Sequence, residues 1–386
     1  MRSAFLFLCF AVCAASVGFN LFSVWCATVF FSKKNDEPAE GDGPPVTILK
    51  SVRGVEGGTY ENLASFCRID YPAYQVLFGV HDSNDPAIPL IARLRRDFPQ
   101  ADLQLIRCDR VMGSNPKVSN LIQMEPNAKH PLLLVCDSDI RVGREFLRRL
   151  VRPMREKKVG AVTCMSRSLS KGFIGTLEAL REVTEFCPSV MVAHALEGVK
   201  FGLGSAILVR REALEEIGGF ASIADYLADD YLLGNRIARA GYAVRLSNVI
   251  VEHDLAVARF RDLVRRQIRW NRGIRACRPW GYRGLILTYG IPMGGLFLAL
   301  SGFSTAGWIV FTAASAARLT MAYGVGARLL NDRAARRYLW LTPVQDVLSF
   351  GLWCAGLFGS GIQWRDQSFR LMKDGKLHAP IAVPNL

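Results

Sequence analysis

Residues 132–139 decide the fold: Leu-Leu-Leu-Val-Cys-Asp-Ser-Asp. Five consecutive apolar residues are typical of a strand that is buried on both faces of a sheet. Two carboxylates, Asp137 and Asp139, follow that strand directly. Carboxylates at this spacing can bind a hard divalent cation such as Mg²⁺ or Mn²⁺. Because Asp is also common in turns, the pair alone does not establish a metal site.

The same alternation of short apolar runs and amphipathic stretches extends in both directions from this strand. It predicts strands at Val46–Lys50, Gln75–Val80, Leu103–Cys108, Leu132–Cys136, Gly160–Met165 and Ala206–Arg210. It predicts helices at Tyr60–Arg68, Ile88–Phe98, Lys117–Met124, Phe146–Met154, Gly175–Thr184 and Asp230–Ala240. This order indicates an α/β fold with a mostly parallel sheet covered by helices, in which ligands bind at the carboxyl ends of the strands.

Two further acidic positions in this region are candidates for a functional site. Asp82 follows the second predicted strand, and Asp229-Asp230 opens the last predicted helix. An Asp at a helix start is a favourable cap. Since one cap needs only one acid, the cap can be Asp229, and Asp230 is then a candidate general base.

The apolar residues of the chain are concentrated at its two ends. No charged residue occurs from Ser3 to Ser32 or from 284 to 317, and Asp346 is the only one from Tyr338 to Trp364. Because about twenty apolar residues can cross a bilayer, we expect an integral membrane protein with a soluble middle. The stretch that begins at 284 is too short for two full spans, so it either extends past Arg318 or enters the bilayer part-way. The basic loop that starts at Arg318 is expected to be cytosolic.

A basic segment precedes the second apolar region. Nine arginines lie between Arg259 and Arg283, interleaved with aromatic residues, as in helices that lie on an anionic membrane surface. Nucleic acid is the competing partner, but the segment runs directly into an apolar stretch, so the membrane is favoured. Within it, Arg266 and Arg269 share a helix face and could bind a diphosphate, with Trp270 beside them.

Positive charge also predicts the topology. Lys33 and Lys34 follow the first apolar run, which places the middle domain on the cytosolic side. The predicted organisation is therefore an N-terminal anchor at 3–32, a linker at 33–45, a cytosolic catalytic domain at 46–255, a basic interfacial segment at 256–283, transmembrane or re-entrant helices at 284–364 and a basic tail at 365–386.

The order of these motifs resembles a known pattern. Asp82, Asp137-Ser138-Asp139, Asp230 and Arg266–Trp270 resemble the D, D, D, (Q/R)xxRW pattern of membrane-bound inverting glycosyltransferases. Within that group the chain is similar to the ceramide glucosyltransferase family, glycosyltransferase family 21, including its bacterial hopanoid branch. The supporting phrases are Tyr60–Leu63, Asp70–Pro72, Asp85–Ile88, Asn115–Asn120, Asp137–Val142 and Ala228–Tyr231. The second acid of the DSD motif, which the vertebrate enzymes lack, favours the bacterial branches.

The resemblance implies a GT-A-like fold and transfer of a sugar from a UDP-sugar to the hydroxyl of a membrane lipid, a ceramide or a hopanoid polyol. It implies Asp230 as the base and Mg²⁺ or Mn²⁺ at Asp137 and Asp139. The remaining implied donor contacts are Lys50, Arg53 and Asp82.

Further residues are implied around the same site. Arg266, Arg269 and Trp270 would close over the diphosphate and the acceptor. His253 is either a further metal ligand or a structural loop histidine. The turn Gly202–Ser205 either lets the backbone approach the donor sugar or is simply tight.

Two other functions are compatible with parts of the pattern. A processive polysaccharide synthase of glycosyltransferase family 2 shares the acidic motifs, but it would need more spans to form a translocation path. A non-enzymatic membrane scaffold would not need acids at three strand ends.

We expect the membrane to be the bacterial inner membrane, or that of the Golgi or endoplasmic reticulum if the chain is eukaryotic.

Overall fold

The computed structural model describes residues 2–32, 43–169, 172–254, 259–364 and 367–378. Most of the predicted linker, the last residue of the predicted catalytic domain (255), positions 256–258 of the interfacial segment, and residues 365–366 and 379–386 of the predicted tail lie outside the described residues.

Eight strands form the main sheet. They are β1 Val46–Val52, β2 Tyr74–Val80, β3 Asp102–Arg107, β4 Leu132–Cys136, β5 Ile140–Arg141, β6 Val159–Ser168, β7 Ala206–Arg210 and β8 Ala243–His253. Their order is β3-β2-β1-β4-β7-β6-β8-β5. The first four in this order are parallel, as are β6 and β8, whereas β7 is antiparallel to both of its neighbours and β5 to β8. All six predicted strands are present, and β5 and β8 are additional.

Strand β4 lies inside the sheet because every one of its side chains is apolar and buried. Its side chains alternate between the two faces. Leu133 and Val135 pack into one apolar core, whereas Leu132, Leu134 and Cys136 pack into the other. The position of β4 between these two cores therefore holds the Asp137–Asp139 turn at the edge of a rigid sheet.

Fifteen α-helices are described. They are α1 Arg2–Ser32, α2 Thr59–Cys67, α3 Ala87–Asp97, α4 Pro116–Met124, α5 Phe146–Leu150, α6 Gly172–Arg181, α7 Cys187–Glu197, α8 Arg211–Glu216, α9 Asp229–Arg239, α10 Phe260–Cys277, α11 Pro279–Gly284, α12 Gly290–Leu300, α13 Thr305–Met321, α14 Arg333–Tyr338 and α15 Thr342–Gly356. The predicted helices α2, α3, α4 and α9 agree to within one residue at each end. Helix α6 begins three residues earlier than predicted and continues into α7 through the π-helical segment Glu182–Phe186.

Two helices of the described chain are long and apolar enough to cross a membrane, Ser3–Ser32 and Thr305–Leu329. A bent pair, Pro279–Thr288 and Gly290–Leu300, meets at 68° and would add a third span if it is counted as one. The predicted N-terminal transmembrane helix is thus confirmed. The stretch that begins at 284 extends past Arg318, since α13 continues through a π-helical segment to Leu329.

The prediction that Arg318 belongs to a cytosolic loop is wrong. Arg318 lies within α13 and is fully buried, and its guanidinium donates to Asp346 Oδ2 at 2.8 Å and Oδ1 at 2.6 Å. It also donates to the backbone carbonyl of Thr184. A buried charge is tolerated when it is paired and hydrogen-bonded. The ion pair therefore joins α13 to α15, and the bond to Thr184 joins α13 to the π-helical segment Glu182–Phe186.

The described part of the predicted tail, 365–386, forms an ordered sheet with residues 361–364, which were predicted to belong to the membrane helices. Strands β9 Gly361–Trp364, β10 Gln367–Leu371 and β11 Leu377–His378 are antiparallel, in the order β11-β10-β9. Ile362, Phe369, Leu371 and Leu377 form its buried apolar face, against which Leu227 packs. The strands are too short, at two to five residues, for a two-residue periodicity to be recognised in the sequence.

We expect Arg318→Met to destabilise the protein by about 3–5 kcal/mol, because it leaves Asp346 buried without its partner. Thermal unfolding in detergent micelles, followed by tryptophan fluorescence, measures the change. The double variant Arg318→Met/Asp346→Leu should recover most of the loss, and Arg333→Met, at an exposed arginine, is the matched control. Equal melting temperatures for Arg318→Met and Arg333→Met would contradict this role of the pair.

Candidate active site

The second acid of the DSD motif is paired with a histidine from the far end of the sheet. Strands β5 and β8 pair Ile140 with His253, and this pairing brings His253 Nε2 to 3.2 Å from Asp139 Oδ2. Burial opposes ionisation of Asp139, but the charges of His253 and Arg266 and the hydrogen bond from His253 outweigh it, so its pKa lies below the ordinary value. Burial also opposes the charge of His253, but Asp139 raises the pKa of His253 to about 9.

The other oxygen of Asp139 fits a cation. Asp139 Oδ1 is buried and has no hydrogen-bond partner, which is costly for a carboxylate unless a ligand supplies the missing contact. Mg²⁺ is usually bound by one or two carboxylates together with phosphates and water. Among the described residues no three His, Cys, Asp or Glu side chains already converge on a metal position. The Asp139 side chain therefore fits a divalent cation whose remaining ligands include phosphates and water.

The first acid of the motif contacts a lysine that the sequence analysis did not single out. Lys117 Nζ lies 2.8 Å from Asp137 Oδ1 and 3.2 Å from Asp229 Oδ2. Lys117 stands in the first turn of α4, where the helix dipole disfavours a positive charge. A lysine at this unfavourable position is a feature that the sequence shows, and it could have indicated that acidic side chains lie nearby in the fold.

The predicted base, Asp230, lies half-buried beside the DSD motif. Burial, and then the negative charge of Asp229, raise the pKa of Asp230 to about 6. Its Oδ1 accepts a hydrogen bond from the backbone N–H of Tyr231 at 2.7 Å. A Cβ at Gly204 would lie 2.9 Å from Asp230 Oδ2 and 3.8 Å from Asp137 Oδ2. The glycine therefore makes room for both carboxylates on one side of the site.

The prediction that Asp229 caps its helix is wrong. No side chain caps the start of α9. Instead, Asp229 Oδ2 contacts Lys117 and Asp229 Oδ1 accepts from Asn115 Nδ2 at 3.3 Å. Asp229 therefore ties the start of α9 to the start of α4.

The three remaining predicted donor residues lie in two different environments. Arg53 and Asp82 are exposed and follow β1 and β2, which end side by side at Val52 and Val80. Lys50, in contrast, is fully buried, and its Nζ donates to the backbone carbonyl of Asp137 at 2.7 Å. In this position Lys50 supports the DSD turn.

The RxxRW motif lies on α10, and its three residues have different neighbours. Arg266 is close enough to the DSD motif for its charge to lower the pKa of Asp139. The guanidinium of Arg269 lies 5.3 Å from the ring centre of Trp364, whereas the ring of Trp270 lies 5.6 Å from the guanidinium of Arg181. The structure therefore brings together Asp137, Asp139, Asp230, His253 and Arg266. The side chains of Arg269 and Trp270 instead contact other residues of the protein.

Several arginines of the basic segment bind the protein rather than lying free on its surface. Arg272 donates to the carbonyls of Phe358 and Gly361. Arg275 donates to the carbonyls of Gly356 and Gly359. These bonds fix α10 to the end of α15 and the start of the C-terminal sheet.

The C-terminal sheet also contacts the loop before Asp230. The N–H of Leu227 donates to the carbonyl of Gly375 at 3.2 Å, and the N–H of Leu377 donates to that of Asp225 at 2.7 Å. Since β9 carries Trp364 beneath Arg269, the sheet holds α10 and the loop before Asp230 together. We therefore treat it as a wall of the site.

Comparison with known proteins identifies the family. A model of "Glycosyl transferase family 21" matches residues 8–377. The chain belongs to glycosyl transferase family 21.

Curated relatives of this family 21 chain are ceramide glucosyltransferases. Ceramide glucosyltransferase 3 of Caenorhabditis elegans is 24% identical over 360 residues, which cover 87% of this chain and 75% of that protein. Ceramide glucosyltransferase 1 of the same organism is 28% identical over 209 residues, which cover 53% of this chain and 44% of that protein.

A solved structure supports the fold. The mannosyltransferase PcManGT from Pyrobaculum calidifontis, in complex with GDP-Man and Mn²⁺, aligns with a TM-score of 0.57 at 20% identity, covering 93% of this chain and 99% of that one. The expected α/β, GT-A-like domain with a mostly parallel sheet and an N-terminal membrane helix is confirmed.

We expect Trp364→Ala to lower kcat/KM of sugar transfer about 2- to 30-fold, because Arg269 loses a cation–π partner worth about 0.5–2 kcal/mol. The matched control is Trp340→Ala, at a tryptophan that is 70% exposed. Initial rates of the two variants, measured side by side, test the contribution of the sheet. Transfer by Trp364→Ala at the control rate would show that the sheet does not support the motif.

Proposed function

We propose that this chain is a membrane-bound inverting glycosyltransferase that moves a sugar from a UDP-sugar to a hydroxyl of a membrane lipid, a ceramide or a hopanoid polyol. The observation that carries the proposal is the half-buried Asp230, whose pKa is raised to about 6, beside the DSD acids. A general base is most effective when its pKa lies near the working pH. The ceramide glucosyltransferase relatives support the same reaction class.

The acceptor chemistry follows from Asp230. Because Asp230 Oδ1 already accepts the N–H of Tyr231, Oδ2 is the oxygen that takes the proton of the acceptor hydroxyl. The hydroxyl oxygen forms its bond to the anomeric carbon as the bond from that carbon to the phosphate oxygen breaks. One displacement inverts the configuration, so no covalent glycosyl-enzyme is required.

The donor end of the site is the DSD motif. Asp137 and Asp139, together with His253 once it is deprotonated, would hold a Mg²⁺ or Mn²⁺ ion, which when bound neutralises charge on the leaving diphosphate. The Mn²⁺ and GDP-Man bound to the similarly folded mannosyltransferase support this assignment. Arg53 and Asp82, which are exposed and follow β1 and β2, would contact the nucleotide. Lys50 would act on the donor by holding the carbonyl of Asp137.

The RxxRW helix lies between the donor site and the membrane segments. Arg266 would neutralise the diphosphate, and Arg269 and Trp270 would border the acceptor. The mobile charge of a departing diphosphate is best stabilised by cations that are already fixed in place. The contact of Arg269 with Trp364 supplies that fixation for one arginine of the motif.

The acceptor would enter from the bilayer. Trp280 is 77% exposed and lies 4.5 Å from the guanidinium of the exposed Arg283, a pairing suited to an interface with anionic headgroups. Arg259 and Arg261 are also exposed. We propose an integral membrane protein whose catalytic domain faces the cytosol at the bacterial inner membrane, or at the Golgi or endoplasmic reticulum in a eukaryote, with no nucleic-acid partner.

Lipid analysis tests the proposed function directly. Cells that express the chain should contain a glycolipid that is missing from cells expressing Asp230→Asn, and mass spectrometry of that lipid identifies both sugar and acceptor. A polysaccharide product would instead support the synthase alternative. No difference in lipids or polymers would contradict transferase activity in those cells.

The acid limb of the pH profile should report Asp230. Protonation below a pKa of about 6 removes the basic oxygen, so kcat should fall about tenfold per pH unit below pH 6 and level off above pH 7. Asp229→Asn removes a negative neighbour that raises this pKa, so its limb should move to lower pH. Steady-state rates from pH 4.5 to 8.5 measure both curves.

Asp230→Asn should lower turnover about 10²- to 10⁴-fold, the usual contribution of a general base. Calorimetry should show UDP-sugar affinity within a few-fold of the wild type, because the amide keeps the size of the side chain. Asp229→Asn is the matched control and should mainly lower the melting temperature, since it weakens the contacts to Lys117 and Asn115. If Asp229→Asn loses turnover and Asp230→Asn does not, the base is Asp229.

Chelation should stop transfer, and added Mn²⁺ or Mg²⁺ should restore it, because oxygen ligands of the DSD motif prefer hard cations. Asp139→Ala should weaken the dependence on metal and the use of donor together. The assay compares rates in EDTA with rates after readdition of each ion. Transfer that continues unchanged in strong chelator would contradict the metal role.

A further inference from the structure

Lys117 is the cation that joins the two acidic motifs of the site. Its Nζ lies 2.8 Å from Asp137 Oδ1 and 3.2 Å from Asp229 Oδ2, and its side chain is only 16% exposed. Both distances are those of direct ion pairs between the ammonium and a carboxylate. A charged ammonium is therefore a built-in part of the site.

The start of α4 fixes where this ammonium lies. Asn115 Oδ1 accepts from the backbone N–H groups of Lys117 and Val118, which makes Asn115 the cap of the helix. The amide of Asn115 donates to the carbonyl of Tyr226 at 2.8 Å and to Asp229 Oδ1. The helix start is thus anchored to the loop before Asp230, and Lys117 emerges from its first turn between the acids.

The contact between Lys117 and Asp137 makes the two acids of the DSD motif different from each other. Asp137 gives Oδ1 to Lys117, and its Oδ2 faces the space beside Gly204 that Asp230 shares. Asp139 has no lysine partner in the described residues, and its Oδ1 is buried without a hydrogen bond. Of the two acids, Asp139 is therefore the one with an oxygen that still needs a cation.

We propose that Lys117 is a positioning residue, a fixed ammonium that occupies Asp137 in place of the divalent ion. The ion is then held by Asp139 and His253, while Asp137 Oδ2 stays turned toward the donor. This inference rests on the proposed function for the presence of a metal and a nucleotide-sugar. It narrows the metal ligands at the DSD motif from both acids to one.

Binding of Mn²⁺ alone tests the proposal. Free Mn²⁺ is measured by electron paramagnetic resonance with the full chain in detergent, without sugar donor or lipid. Lys117→Met should bind Mn²⁺ at least threefold more tightly than the wild type, because Asp137 becomes available as a ligand. Lys117→Arg, which keeps the charge, should bind like the wild type.

A double-variant comparison separates this role from a general charge effect. In an Asp137→Asn background, Lys117→Met should leave Mn²⁺ affinity unchanged, because the acid that the lysine occupies is gone. Lys129→Met is the matched control, since Lys129 forms an exposed ion pair with Asp102 at 2.7 Å. The proposal is overturned if Lys117→Met binds Mn²⁺ no more tightly than Lys129→Met, or if the gain persists with Asp137→Asn.

A second pair of variants decides the matter if Lys117→Met does not fold. Asp139→Asn should weaken Mn²⁺ binding at least tenfold, and Asp137→Asn less than threefold. Equal losses would overturn the proposal. Because this assay contains neither donor nor acceptor, its failure is distinguishable from a failure of lipid glycosylation in cells.

Discussion

The structure of the site depends on positively charged side chains that offset the negative charges of four carboxylates at one edge of the sheet. Asp137, Asp139, Asp229 and Asp230 are all in or beside the same small volume, where their mutual repulsion would oppose folding. Lys117 neutralises one member of each motif, and His253 pairs with Asp139. Among the described residues Asp230 has no cation paired with it, and its pKa is raised first by burial and then by the negative charge of Asp229. The proposed base is therefore the one acid of the four without a direct cationic partner in the described part of the chain.

The site is also connected to the apolar segments of the chain through α10. The arginines on this helix were expected to lie on anionic lipid, but Arg272 and Arg275 bind carbonyls at the end of α15 and in the loop after it. Arg266 and Arg269 extend from the same helix toward the DSD acids and the C-terminal sheet. One helix thus connects the apolar segments to the reacting groups. This arrangement suits an enzyme whose acceptor is held in a bilayer.

The elements that could be predicted were those with a strong local signal. The apolar run of β4, helix α4 and the uncharged stretch from Ser3 to Ser32 depend on adjacent residues, so their structures follow from short stretches of sequence. The C-terminal sheet was missed because its strands are only two to five residues long. Short antiparallel strands are stabilised by what they pack against, which local sequence does not contain.

The sequence by itself determined the α/β class, the membrane helix and the identity of the acids that form the site. These follow from periodicity, from uninterrupted apolar length and from acids placed directly after strands. Only the tertiary structure decided which acid has which partner. Lys117 and Asp229 are far apart in the chain, as are Asp139 and His253, 114 residues apart, and Arg318 and Asp346, 28 apart. Charges at such separations meet only when the sheet and helices have packed, so their pairing is a property of the fold and not of any local pattern.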